Sequence, residues 1–100
     1  MIDQQYILTI DLGTSGPKVA LVSEHGEVLG CEVEATDLIL LEGGGAEQNP
    51  DNWWQKIAAA SKKLLAKELI PLDKISAVAV TAQWSGTVAV NKEGKPLHNA

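Results

Sequence analysis

Apolar residues arrive along this chain in short blocks separated by polar or glycine-rich breaks, and the spacing within the blocks changes partway along. Tyr6-Ile-Leu-Thr-Ile-Asp-Leu12 is β-rich and nearly continuous, the pattern of a strand covered on both faces. Gly13-Thr-Ser-Gly16 interrupts it with two glycines suited to a tight turn. Lys18–Ser23 resumes as a second strand, Glu24–Glu27 supplies another turn, and Val28–Thr36 predicts a third strand. Strands joined by turns this short make an antiparallel meander. Residues 37–48 carry one apolar run, Asp37–Leu41, then Gly43-Gly-Gly45, which reads as a mobile connector. No lysine and serine of the P-loop type follow those glycines.

The period then switches to that of a helix. Asn49 is placed to cap it, Pro50 suits the first helical position, and Asp51 adds favourable charge to the first turn. Trp54, Ile57, Ala58, Ser61, Leu64 and Leu65 recur at three- and four-residue steps, with Lys56, Lys62, Lys63 and Lys67 largely opposite them. Trp53 and Trp54 read as packing residues. Pro71 disfavours a helical Ile70, so the helix is expected to end near Leu69. Ile75–Thr81 predicts a buried strand which, reached through a helix, is expected to run parallel to an earlier one. Ala82-Gln-Trp-Ser-Gly86 breaks it. Thr87–Asn91 predicts a fifth strand, Lys92–Lys95 a turn, and Pro96–Ala100 the return partner. The predicted order is β-β-β-α-β-β, an α/β fold with a mixed sheet, and an open edge at Pro96–Ala100 favours association into a homo-dimer.

Charge narrows the partners. A net charge of -5 argues against nucleic acid and anionic membranes, which select basic surfaces. An acidic chain binds phosphates only through local donors and a metal ion. Cys31 is the only cysteine, so no internal disulfide forms, and inert packing is its expected role. His25 and His98 lack ligand-like spacing. The start lacks the basic and apolar regions of a signal peptide, and no apolar run approaches the roughly 20 residues of a membrane span, so a cytoplasmic location is expected.

Asp11-Leu-Gly-Thr-Ser-Gly16 is the segment that points to chemistry. A carboxylate ending a buried strand is costly unless something charged needs it. The small residues after it leave backbone N–H groups able to wrap phosphate oxygens. Thr14 and Ser15 add hydroxyls, and Lys18 a positive charge. Asp11 would hold Mg2+ through its water shell, since that ion prefers oxygen ligands and keeps its water. Such parts position and neutralise a triphosphate such as ATP. A plain Asp-Gly hairpin is the competing reading of the same residues.

The order of elements bears on that choice. Asp-Leu-Gly-Thr-Ser-Gly between the first two strands resembles the first phosphate motif of the actin, Hsp70 and hexokinase superfamily. Within it, the chain looks most like the FGGY carbohydrate kinases. Ala46-Glu-Gln-Asn-Pro-Asp-Asn-Trp-Trp-Gln55 is similar to their Glu-Gln-Asp-Pro-x-x-Trp-Trp signature, with Asn49 in place of the aspartate. Ile75–Gln83 and Lys92–Leu97 match the pieces that follow. The resemblance implies a ribonuclease-H-like mixed sheet in which residues 1–100 are part of an N-terminal lobe, the remainder and a C-terminal lobe lying beyond. It implies ATP and Mg2+ as cofactors, Asp11 facing the metal, and Gly13, Thr14, Ser15, Gly16 and Lys18 at the phosphates. Gln83, Trp84 and Ser85 would contact the sugar, although Trp84 also reads as packing. Trp84-Ser85 stands where glycerol kinase has Arg-Glu and xylulokinase Met-His: the missing Arg-Glu pair argues against glycerol, the missing histidine leaves xylulose unproven, and a pentulose such as xylulose is the expected substrate. The general-base aspartate is expected beyond residue 100, so residues 1–100 alone are expected to give no turnover. A non-kinase ATP-binding relative, or a binding domain with a decayed site, are the competing readings.

Overall fold

The computed structural model describes residues 4–100. Three strands, β1 (Tyr6–Gly13), β2 (Gly16–Ser23) and β3 (Val28–Val33), form the expected antiparallel meander. The β2–β3 turn is pinned by the Ser23 hydroxyl, which accepts from the backbone N–H of His25 and Glu27 at 3.2 and 3.1 Å. Two small strands the sequence did not announce, β4 (Ile39–Leu40) and β5 (Ala46–Glu47), pair across the glycines. The segment expected to be a mobile connector is thus a miniature hairpin. Helix α1 (Pro50–Leu65) follows, then a short 3₁₀ turn at Leu72–Lys74 and strand β6 (Ile75–Ala82). β6 lies parallel to β1, which gives the main sheet the order β3-β2-β1-β6. This is the mixed topology anticipated from a strand reached through a helix.

Alternation sorts the sheet residues onto two faces. Pro17, Val19 and Leu21 of β2 are buried, and their register partners Leu12, Ile10 and Leu8 on β1 share that face. α1 covers it, closing Ala60 and Leu64 over Val19 and Leu21, with Tyr6, Leu8 and Ile10 packed alongside. The helix face in use differs from the expected one. Ala60 and Leu64 lie inward with Trp53 and Ile57 half-buried, whereas Trp54 is 70% exposed. The three- and four-residue spacing admits both stripes, and the contact with β2 selects between them.

The helix starts as read: the Asn49 side chain accepts from the Asp51 N–H at 2.9 Å. It stops four residues early, at Leu65. Lys67 and Glu68 bond back to the carbonyls of Leu64 and Leu65 in tightened turns, and Glu68 takes a φ of 52°. A left-handed residue ends the helix before Pro71 can act.

Three further expectations are corrected. β1 and β6 were expected to be covered on both faces, yet Val78 and Val80 are 60% and 67% exposed. They share the face of Leu8 and Ile10, but α1 contacts β2 and β3 and stops short of β6. β3 ends at Val33, three residues before Thr36: the N–H of Glu34 and of Thr36 still bond the carbonyls of Pro17 and Ser15 in the same register at 3.1 Å each, but Pro17 has no N–H to return the bond. The fifth strand and its partner shrink to one bridge, Val90 with Pro96. The turn between them does form, with Asn91 Oδ1 accepting from the N–H of Glu93 and Lys95. Val90 and Leu97 stay more than half exposed, so no buried face extends the ladder. Ala100 exchanges two backbone bonds with Gln48, and the open edges of the main sheet are β3 and β6.

Two ion pairs staple α1 and the turn after it to the β3 side: Lys63 Nζ lies 2.7 Å from Glu34 Oε1, and Lys67 Nζ 3.0 Å from Glu32 Oε1. The hydrogen bond from Lys63, with its charge, outweighs partial burial and holds the Glu34 carboxyl below its ordinary value, while the same bond raises Lys63. The glutamate contribution to stability is therefore present above its ordinary pKa and lost as pH falls through the depressed one. The lysine contribution is present below its ordinary pKa and lost as pH rises through the raised one. For a surface pair the effect is small. Glu34→Gln should lower the denaturation midpoint slightly at neutral pH, with the difference from wild type closing on acidification. A gap that stays open in acid would contradict the assignment.

Candidate functional site

Both strands that run parallel, β1 and β6, end at the same edge of the sheet, and the residues singled out in the sequence gather there. Ligands of open α/β sheets bind outside the carboxyl ends of such strands. Gly13 and Gly16 face one another in register and enclose Thr14 and Ser15 at the tip of the β1–β2 hairpin. Both tip residues are exposed. Their carbonyls are held from behind: Thr14 accepts from Gln48 Nε2 at 2.9 Å and Ser15 from the Thr36 N–H at 3.1 Å. Gly16 carries a φ of 142°, and a Cβ there would lie 1.9 Å from the Glu34 carbonyl oxygen. Only glycine lets the 34–36 segment press this closely on the hairpin.

Asp11 pairs in register with Lys18 on one side and Thr81 on the other, which sets all three on the face opposite α1. Asp11 and Lys18 are both exposed. The expectation of a desolvated carboxylate at a strand tip is therefore corrected: the side chain sits on the uncovered face, where solvation carries no such cost. Its placement two residues before the turn stands. Asp11 and Thr81 line a shallow groove between β1 and β6 together with Thr9, Ile10, Ala79 and Val80.

The second half of the site is a cavity of about 270 Å³ lined by Thr14, Gln48, Trp53, Gln83, Ser85 and Gly86, among others. Gln83 follows β6 directly and its N–H donates to the Leu12 carbonyl at 2.8 Å, which ties the end of β6 to the end of β1. Its side chain donates to Gln48 Oε1 at 3.1 Å. Ser85 reaches the cavity wall. Trp84 does not; it is 98% exposed, so packing within the described residues is excluded as its role. Accordingly Trp84→Ala should leave the unfolding free energy within about 0.5 kcal/mol of wild type. A larger loss on denaturant titration would mean the ring is covered after all.

Sequence reasoning missed two members of this site. Gln48 is 7% exposed and Trp53 is half-buried, with the indole N–H donating to Gln48 Oε1 at 3.1 Å. A polar side chain just ahead of a helix cap was the available signal, but only the fold shows what lies across from it. Cys31, expected to pack, is an exposed free thiol on β3.

The residues fit a hydrated hard cation and a phosphate chain. Among the described residues no cluster of three or more His, Cys, Asp or Glu side chains could form a metal cage. One exposed carboxylate near hydroxyls and backbone amides suits an ion that keeps most of its water. Among those residues, no helix is long and apolar enough to cross a membrane.

A hairpin with a small-sided tip, a third antiparallel strand, and a helix leading to a parallel strand define the class: the mixed sheet of the actin and hexokinase-like fold, as it occurs in the N-terminal lobe of sugar kinases. The chain belongs to the FGGY family of carbohydrate kinases, residues 6–100 matching that family's N-terminal domain. It is 34% identical to a glycerol kinase of Listeria monocytogenes over 100 residues, 99% of this chain and 20% of that protein. A xylulose kinase of Bacillus subtilis is 31% identical over 96 residues, 96% of this chain and 19% of that one. Among solved structures, a xylulose kinase of Brucella ovis superposes with a TM-score of 0.85 at 26% identity, covering 97% of this chain and 20% of its own. The chain thus spans about a fifth of the length of the curated relatives it matches.

Proposed function

We propose that this chain is the phosphate-gripping part of a longer ATP-dependent kinase that phosphorylates a hydroxyl of a small sugar. The observation that carries this reading is the meeting of the Thr14–Ser15 hairpin tip with Gln83 and Ser85 at one strand edge. In-line phosphoryl transfer needs donor and acceptor positioned against each other and charge neutralised between them. The hairpin tip would grip the terminal phosphates through its amides and hydroxyls, with Lys18 adding positive charge. Asp11 would hold Mg2+ through water, the ion neutralising charge on the phosphate oxygens when bound. Gln83 and Ser85 would orient the sugar, with Trp84 stacked on its C–H face. The deprotonating aspartate, the nucleotide base site and the cover for the exposed apolar face of β6 would come from the remaining four fifths of the protein. Residues 1–100 alone would then give no turnover, and a cytoplasmic metabolic enzyme is the setting this fits.

A pentulose such as xylulose is the substrate we favour. Trp84-Ser85 stands where the glycerol kinases it resembles carry an Arg-Glu pair, and the missing pair argues against glycerol. Identity does not decide the point, because glycerol and xylulose kinases match this chain almost equally. The test is ADP release by the full-length kinase with Mg2+ and ATP over a panel of ketoses, aldonates and polyols. Stimulation by xylulose or a related pentulose is the expected result. Stimulation by glycerol alone would overturn the substrate, and no stimulation by any acceptor would overturn the kinase reading.

A further inference from the structure

Gln48 has a bonding pattern that nothing in the phosphoryl-transfer chemistry requires of it. It is 7% exposed, and every polar atom of its amide is engaged. Nε2 donates to the Thr14 carbonyl at 2.9 Å and lies 3.5 Å from the Thr36 hydroxyl. Oε1 accepts from the Trp53 indole at 3.1 Å and from Gln83 Nε2 at 3.1 Å. The amide has only one orientation that works, because an indole N–H can only donate and a carbonyl can only accept. Its backbone is clamped as well, exchanging N–H to O bonds with Ala100 at 2.8 and 2.9 Å. One buried side chain therefore joins the hairpin tip, the first turn of α1 and the residue after β6.

The bond to Thr14 has a geometric consequence. The Thr14 carbonyl and the Ser15 N–H belong to one planar trans peptide and point in opposite directions. Drawing the carbonyl back onto Gln48 aims the Ser15 N–H away from the protein, to the side where an anion would sit. We infer that Gln48 is a positioning residue: it sets the direction of the Ser15 N–H and holds it in fixed relation to Gln83. The benefit of this bond to ATP rests on the kinase reading above; the orientation of the amide does not.

Gln48→Glu separates the two halves of the network. It keeps an oxygen for Trp53 and Gln83 but sets a second oxygen against the Thr14 carbonyl. Trp53→Phe is the gentler companion, removing the indole N–H that steadies the amide, together with part of the ring. Two readouts are made on the full-length protein. Selective 15N-serine labelling, with Ser15 assigned by Ser15→Ala, follows that amide without any ligand. Titration calorimetry with Mg2+ and a non-hydrolysable ATP analogue, and separately with xylulose, follows the two half-sites. In Gln48→Glu the Ser15 resonance should move more than those of Ser23 and Ser76, with analogue affinity falling about 10- to 100-fold. Xylulose affinity should fall less than analogue affinity, because the variant keeps an oxygen that accepts from Gln83 Nε2. Trp53→Phe should shift both Ser15 and analogue affinity in the same direction by less. An unmoved Ser15 resonance in both variants, or equal losses for analogue and sugar, overturns the inference. A shifted Ser15 in a protein whose wild type binds no analogue would support the positioning and refute the kinase reading alone.

Discussion

Asp11→Asn should reduce turnover of the full-length kinase by roughly 10- to 100-fold while leaving the fold intact. The magnitude is that of losing an outer-sphere partner of a bound metal. Asparagine has the same shape but no charge, so it orders metal-bound water poorly and no longer offsets the cation. Because Asp11 is exposed on the face opposite α1, the substitution removes no buried contact. Stability should stay within about 0.5 kcal/mol of wild type, the usual range for surface changes. The measurement is steady-state ADP release against Mg2+ concentration, paired with thermal unfolding. Lost activity that excess Mg2+ partly restores is the expected outcome. Wild-type turnover in the variant would show that the carboxylate has no part in the chemistry.

The second large effect is expected from Gly16→Ala. The added methyl would lie 1.9 Å from the Glu34 carbonyl oxygen, 2.9 Å from its carbon and 3.0 Å from Ala35 Cα, all backbone atoms that cannot rotate away. Overpacking ordinarily costs about 1–3 kcal/mol, and a φ of 142° adds strain for any residue with a Cβ. The 34–36 segment must withdraw, which releases the bond from Thr36 N–H to the Ser15 carbonyl and frees the hairpin tip. Stability and turnover should therefore fall together. Gly13→Ala is the informative contrast, since its methyl would meet only the Gly16 carbonyl oxygen at an ordinary 3.7 Å. Denaturant titration of the two variants should separate them clearly. Equal midpoints would mean that the hairpin does not rest on residues 34–36.

The meander, the helix start and the parallel strand were all legible, because each depends on residues close in sequence. Asn49 and Pro50 act on the next few backbone groups, and the glycines on one turn. The helix end was not legible, since Glu68 carries no feature that marks it for a left-handed conformation. The hairpin from Thr87 to Ala100 was half legible. Its turn chemistry is local, but the length of a ladder depends on whether another layer buries it, and none does here.

The site divides along the same line. Asp11, Thr14, Ser15 and Gly16 were singled out by the sequence itself, because a small-sided turn is built from consecutive residues whose chemistry can be read without a partner. The exposure of Asp11, the choice of Trp53 over Trp54 for the inner face, and the three-way bonding of Gln48 were settled only by tertiary structure. Each depends on surfaces brought together from separate parts of the chain, as Thr14 and Gln83 are brought to Gln48 across 34 and 35 residues, and hydrophobic period alone leaves that choice open.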